Sequence, residues 1–197
     1  PRWHSIINSP VGRLYVAASD NALTGIWYEE QAHFPLPHEL GERITDPAGL
    51  VAEADEVAQA IGADAERRGE HIYVAPARIL AQTERELDEY FRGRRTDFEV
   101  PLDPDGTDFQ LAVWDYLKTV PYGYTVTYGE ISRMVGPGAP AQAVGQAVGH
   151  NKIAIIIPCH RVLGAGGKLT GYAGGLDRKR WLLDREEPKD IRSGRLF

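Results

Sequence analysis

A single cysteine, Cys159, stands in a chain of 197 residues. An intrachain disulfide needs two thiols and a structural zinc cluster usually several, so both are excluded and a reducing compartment, the cytosol, is expected. Nowhere does the chain approach the run of about 18 apolar residues that a spanning helix needs. Pro1-Arg2-Trp3-His4 opens it without an apolar signal core, so neither membrane insertion nor export is expected. Positive charge is scarce as well, with a net charge of -6, but the deficit is uneven. Residues 1–107 carry 10 Lys and Arg against 20 Asp and Glu, whereas residues 108–197 carry 12 against 8. A protein binds with a face rather than with its mean charge, so the second half can face phosphate. At 43% hydrophobic and 25% charged residues the chain is of globular composition, which excludes wholesale disorder. Its length, at ~150 residues per domain, corresponds to one or two domains.

Three short β-rich runs open the chain, Trp3 to Ile7, Leu14 to Ala18 and Leu23 to Tyr28, separated by turn-forming residues, and they predict a β-meander. From Glu29 to Ala77 the sequence turns acidic and proline-bearing, with a helix expected over Ala48 to Ile61 and a loop at Gly62 and Gly69; this stretch reads as an insertion. Ala77 to Phe91 has helical periodicity through Ile79, Leu80, Leu87, Tyr90 and Phe91, with Gly93 at its stop, and Phe98 to Leu102 is expected to return as a strand. Pro101 to Gly106 is a linker by composition, giving domains 1–103, with the acidic insertion at 29–77, and 104–197.

Beyond the linker, a helix from Asp108 carries Leu111, Trp114 and Leu117 at helical spacing and ends at Pro121-Tyr122-Gly123. Tyr128 to Val135, the turn Gly136-Pro137-Gly138 and Ala139 to His150 have the spacing of a helix-turn-helix. The small residues of the second helix, among them Ala141, Ala143, Gly145, Ala147 and Gly149, admit two readings. Either the helix packs closely on a neighbour, or its backbone approaches something bulky such as a minor groove.

The apolar run Ile153 to Pro158 predicts a buried strand, and it ends abruptly at Cys159-His160-Arg161. A lone cysteine is most often a small buried hydrophobe. Here the basic neighbours favour thiolate formation, so a nucleophile is the sharper expectation. Gly164 to Lys168 is expected as a hairpin turn, and Thr170 to Gly175 as a glycine-rich loop that lets backbone amides approach a ligand, with Tyr172 as a wall. Leu176 to Glu186 predicts a last helix with Leu176, Trp181 and Leu183 toward the core and its basic residues solvated.

Ile157-Pro158-Cys159-His160-Arg161-Val162, followed by Gly171-Tyr172-Ala173-Gly174-Gly175-Leu176 and preceded by Pro121-Tyr122-Gly123, Tyr128-Gly129-Glu130 and Ala143-Val144-Gly145, resembles the O6-alkylguanine-DNA alkyltransferase family over about residues 79–187. The resemblance implies an α/β N-terminal ribonuclease H-like domain plus a mostly α C-terminal winged helix-turn-helix domain. It further implies a cytoplasmic monomer that binds double-stranded DNA containing O6-alkylguanine, flips the damaged base and takes its alkyl group irreversibly onto Cys159, without metal or cofactor. Under that resemblance His160 is a base acting through water, Glu186 orients it, and Asn151 braces the turn, where it also reads as a helix C-cap. The Tyr128 hydroxyl would serve guanine N3 and the Ala173 amide O6, while the carbonyls of Cys159 and Val162 would read the amine. Tyr172, Ala173 and Gly174 would form the substrate loop, and Thr127, Tyr128, Ala141, Gln142, Ala143 and Gly145 the DNA face.

The chemistry suits these roles. Displacing guanine from a saturated carbon calls for a soft nucleophile aimed in line, and donors must neutralise charge on the leaving base. Two positions depart from the family pattern. Gln142 replaces the usual arginine that fills the gap left by the flipped base, and Lys152 stands where proline commonly follows the asparagine. The alternatives are a non-repairing protein that recognises alkylated DNA, a winged-helix regulator with an incidental cysteine, and a cysteine hydrolase.

Overall fold

The computed structural model describes residues 1–61, 73–136 and 138–187. The expected loop glycines Gly62 and Gly69, and Pro137 of the turn, lie outside the described residues. The chain forms two compact units, one of Pro1–Ile26 with Pro35–Asp103, the other of Trp27–Phe34 with Pro104–Phe197.

In the first unit, which holds β3 only as far as Ile26, the strands β1 (Trp3–Ile7), β2 (Leu14–Ala18), β3 (Leu23–Tyr28) and the two-residue β4 (Glu42–Arg43) form one sheet in the order β3-β2-β1-β4. β1 and β2 pair antiparallel, Trp3 opposite Ala18 and Ile7 opposite Leu14, while β4 joins β1 in parallel. Between β3 and β4 lies a short helix, α1 (Pro37–Leu40), which the sequence reading left out; α2 (Pro47–Ile61) and α3 (Val74–Phe91) follow. α3 turns Ala77, Leu80, Leu87, Tyr90 and Phe91 into the core.

Residues 98–102 are not a strand. They follow the buried Glu86 carboxylate, whose Oε1 accepts the N–H groups of Glu99 at 2.8 Å and Val100 at 3.3 Å. The stretch meets the sheet at a single bridge, Leu102 opposite Leu23, where the Pro101 carbonyl accepts from Leu23 N–H and the Asp103 N–H donates to the Leu23 carbonyl. A side-chain acceptor on α3 thus takes backbone donors that a ladder would otherwise use.

The second unit rests on three helices in mutual contact, α4 (Asp108–Leu117), α5 (Tyr128–Val135) and α6 (Ala141–Gly149). Thr107 and Thr127 cap α4 and α5 with capping boxes completed by Gln110 and Glu130. Trp114 is buried on α4 and donates its indole N–H to the Ala147 carbonyl of α6 at 2.8 Å. A parallel pair, β5 (Val126–Thr127) and β6 (Val162–Leu163), ties the start of α5 to the chain after Cys159. Gly164 N–H donates to the Lys168 carbonyl at 2.8 Å and closes the turn after β6, within which Ala165–Gly167 is a 3-10 segment.

The last helix, α7 (Leu176–Glu186), buries Lys179, Leu182, Leu183 and Glu186, an i, i+3, i+4, i+7 stripe. Leu176 is exposed and Trp181 is half-buried beneath the Arg185 guanidinium, so two of the three residues expected in the core are elsewhere. Leu176 opens the helix ahead of the packed stripe, and Trp181 lies off it. One basic residue expected in solvent, Lys179, is fully buried.

Candidate active site

Residues 153–158 are buried as expected except for the half-buried Ile156, but as a turn rather than a strand. The organiser is Asn151, which follows α6 and is itself buried. Its Oδ1 accepts the Ile153 N–H at 3.0 Å, and its Nδ2 donates to the carbonyls of Ile157 at 2.8 Å and Ile153 at 3.3 Å. These bonds replace those a neighbouring strand would supply. They also hold Ile155 at φ 72, a left-handed conformation costly for a β-branched residue. The same amide nitrogen lies 3.1 Å from Cys159 Sγ. Cys159 opens a single 3-10 turn, Cys159–Arg161, and is 6% exposed.

Burial pushes the Cys159 thiol up from its ordinary pKa; the Asn151 amide, the Lys179 ammonium and a hydrogen bond from the Tyr172 side chain act against that rise. Next to it His160 is fully buried and bonds Glu186 Oε2 through Nε2 at 2.7 Å, while Nδ1 is buried without a hydrogen-bond partner among the described residues. Burial pulls the imidazole pKa down, against the pull of Glu186, so the ring is neutral at pH 7. Burial alone would raise the Glu186 pKa; His160 and Arg161 outweigh it and hold the carboxyl at about 2. Arg161 grips Glu186 through Nε at 2.7 Å and Nη2 at 3.2 Å, and its Nη1 donates to the Val120 carbonyl at 2.6 Å. The buried carboxylate is therefore fully partnered, as a desolvated charge must be.

Lys179 completes the site, and sequence reasoning missed it by placing it on a solvated face. Its Nζ donates to the carbonyls of Val162 at 2.5 Å, Thr170 at 2.7 Å and Gly171 at 3.0 Å, joining β6 to the glycine-rich loop. Burial brings its pKa down to about 8, with the thiol pulling the other way. The signal was present in the spacing, since Lys179 falls on one helical face with Leu182, Leu183 and Glu186.

A small cavity of about 110 Å³ opens at the sulfur, between α6 and the loop. Its walls include Tyr128, Tyr172, Ala173 and the glycines Gly145 and Gly149. A Cβ built on either glycine would meet nothing within 4 Å. Of the two readings of the small-residue helix, close packing therefore fails at these two positions. Tyr128, the first residue of α5, is hydrogen-bonded to Thr170, and its hydroxyl lies 3.7 Å from where a Cβ on Gly171 would stand. Burial pushes the Tyr128 pKa up.

The residues expected at the site are thus distributed in three places. Tyr128, Gly145, Cys159, Tyr172 and Ala173 line the cavity. His160, Glu186 and Asn151 are buried around the cysteine, and Val162 and Gly174 are buried outside the cavity lining, the Val162 carbonyl already accepting from Lys179. Ala141 and Gln142 are exposed at the start of α6, Ala143 is half-buried, and Thr127 caps α5. Among the described residues no group of three or more His, Cys, Asp or Glu is arranged to hold a metal ion. A larger cavity, about 540 Å³, lies in the first unit between Asp46, Glu84 and Arg92; it contains no thiol and no histidine.

Comparison with known proteins follows the same division of the chain. Residues 108–188 match the family model described as 6-O-methylguanine DNA methyltransferase, DNA binding domain, and residues 50–104 match its ribonuclease-like domain, so the acidic stretch from residue 50 onward falls within the second match. The chain is 40% identical over 183 residues to a methylated-DNA–protein-cysteine methyltransferase of Mycobacterium tuberculosis, covering 93% of this chain and 91% of the relative. A namesake from Mycolicibacterium paratuberculosis is 39% identical over 191 residues, covering 97% and 96%. The crystal structure of Mycobacterium tuberculosis OGT in complex with DNA superposes with a TM-score of 0.71 at 38% identity, over 96% of this chain and 97% of that one. With its lone cysteine set beside a small cavity in the DNA-binding domain, and with likeness to these relatives along nearly its whole length, the chain belongs to the methylated-DNA–protein-cysteine methyltransferase family.

Proposed function

We propose that this protein repairs double-stranded DNA by taking the alkyl group of O6-alkylguanine onto Cys159, once per molecule. The observation that carries the reading is the joint placement of Cys159 Sγ at the cavity, 3.1 Å from Asn151 Nδ2, and of a neutral His160 next in sequence and bonded to an ionised Glu186. His160 Nδ1 takes the thiol proton through a water, and Glu186 holds the ring in the orientation that leaves Nδ1 as acceptor. The thiolate attacks the alkyl carbon in line. The S–C bond forms as the C–O6 bond breaks, the electron pair passes to guanine O6, and the thiol proton ends on the released base. The Tyr128 hydroxyl at N3 and the Ala173 amide at O6 stabilise the charge that develops there. The carbonyls of Cys159 and Val162 accept from the guanine amine, which selects against adenine.

The damaged base reaches the cavity by flipping, and α5 and α6 act as the helix-turn-helix of a winged domain lying in the minor groove. Thr127, Ala141, Gln142, Ala143 and Gly145 supply that face. Gly145 and Gly149 leave room for the base to enter, and a monomer in the reducing cytoplasm suffices. Intact-protein mass spectrometry after incubation with a duplex containing one O6-methylguanine tests the reading. One methyl added per protein, and none in Cys159→Ser, is expected. Repeated turnover would make it a hydrolase, and an unmodified protein that still binds alkylated DNA would make it a recognition protein.

A further inference from the structure

Tyr28 lies far from the catalytic segment in sequence, yet the stretch Trp27–Phe34 belongs to the second compact unit. Its side chain is 1% exposed, and its hydroxyl lies 2.7 Å from the Tyr172 hydroxyl. The two rings meet edge to face at 5.8 Å and 66°. Arg178 stands over the Tyr28 ring, its Cζ 4.8 Å from the centroid, and donates to the Gly174 carbonyl at 3.1 Å. A Cβ on Gly174 would stand 2.5 Å from Tyr28 and 2.9 Å from Tyr172, so the absent side chain is what lets the rings meet. Ala32 N–H, four residues on, donates to the Ala173 carbonyl at 3.1 Å and fastens the same loop.

We infer that Tyr28 is a positioning residue for alkyl transfer, donating its hydroxyl proton to the Tyr172 oxygen so that the single Tyr172 proton is aimed at Cys159 Sγ. Tyr172 has one hydroxyl proton, and both the Tyr28 oxygen and the sulfur are hydrogen-bond partners of that hydroxyl. When the sulfur is a thiolate, the bond to it is charge-assisted and the stronger of the two. Tyr28 must then be the donor in the tyrosine pair, and in a dry site each bond of such a chain polarises the next. Burial raises the Tyr28 pKa and keeps its proton in place for this task. The inference rests on the alkyl-transfer reading, with Tyr172 as a cavity wall.

The test is Tyr28→Phe, which removes one hydroxyl and keeps the ring. Because Cys159 is the only cysteine, its alkylation can be read by mass with two probes, free O6-benzylguanine and iodoacetamide, across a pH series. The variant should react about three- to tenfold more slowly at neutral pH with both probes. Its rate profile should move to higher pH, and its rate should rejoin that of the natural protein in alkali. Tyr172→Phe, which leaves Tyr28 in place, should show the same displacement, and the double variant should be no slower than Tyr172→Phe alone. An unmoved profile in either single variant, a deficit equal at every pH, or additive losses in the double variant would overturn the relay. Failure of the natural protein to react with O6-benzylguanine, while iodoacetamide still gives the displaced profile, would overturn the alkyl-transfer reading and leave the relay standing.

Discussion

Asn151 holds Cys159 with the same nitrogen that holds the Ile157 carbonyl, at 3.1 Å and 2.8 Å. The nucleophile and the turn that presents it therefore share one donor group. An alkyl group added to this sulfur must displace either the amide or the turn. Overpacking of this kind costs about 1–3 kcal/mol. Benzyl-modified protein should therefore melt below the free protein, by about 2–4 °C per kcal/mol in a chain of this size. Calorimetry before and after benzyl transfer is the check, and an equal or higher melting temperature would mean that the 110 Å³ cavity absorbs the group without strain.

Gly145→Ala and Gly149→Ala should separate stability from repair. Each places a methyl where no atom lies within 4 Å and adds up to about 1 kcal/mol of helix propensity. Chemical denaturation should show equal or greater stability. Alkyl transfer from duplex DNA should slow, because the methyl narrows the way into the cavity. Unchanged transfer by both variants would show that the base enters by another side.

Stability should fall in two limbs on acidification. The His160 pKa lies below its ordinary 6.5, so as the pH drops beneath about 6.5 the unfolded chain takes up a proton that the folded protein refuses, and stability declines. The Glu186 carboxyl titrates at about 2 when folded against 4.5 ordinarily, so its contribution is complete above about 4.5 and is lost as the pH falls toward 2. Urea denaturation at stepped pH should resolve both limbs, and His160→Gln should shrink the upper one to the share of His4, whose burial also lowers its pKa, and reduce the lower one by the His160 share of the Glu186 shift. If that variant keeps the upper limb at its full size, His160 does not titrate there.

Gln142→Arg should accelerate repair of O6-methylguanine in a duplex more than reaction with free O6-benzylguanine. Gln142 is exposed at the start of α6, away from the cavity lining. Arginine there would add stacking area and charge that stabilise only the flipped state, and free base needs no flipping. Parallel single-turnover rates decide the matter. Equal gains with both substrates would place the residue's effect on the cavity.

Much of this architecture is legible in the residues. The three opening strands match the meander expected of them, and the cysteine, histidine and α5–α6 pair were recognisable from motif and spacing. What escaped is instructive in physical terms. An apolar run announces burial but not backbone shape, so residues 153–158 pass for a strand until Asn151 is seen to satisfy their backbone groups. Lysine is assigned to solvent by composition, but three converging carbonyls compensate the burial of Lys179. Tyr28 closes strand β3, and nothing local marks it as a partner of Tyr172, 144 residues away.

That separation matters during synthesis. On a ribosome adding about 5–20 residues per second, Tyr28 emerges several seconds before the chain that will carry Tyr172. The segment Trp27–Phe34 must wait, with the Tyr28 ring still wet, until the chain through Tyr172 has been released. The second unit is consequently discontinuous, and a stop codon placed near residue 103 would leave every residue of the first unit in place but Trp27–Phe34 without the rest of its own unit. A fragment beginning at Pro104 would carry Cys159 and the ion pairs of Glu186 but lack the Tyr28 ring that meets Tyr172. Nascent chains therefore acquire a complete reaction chamber only once α7, with Lys179 and Glu186, has followed Tyr172 out of the ribosome.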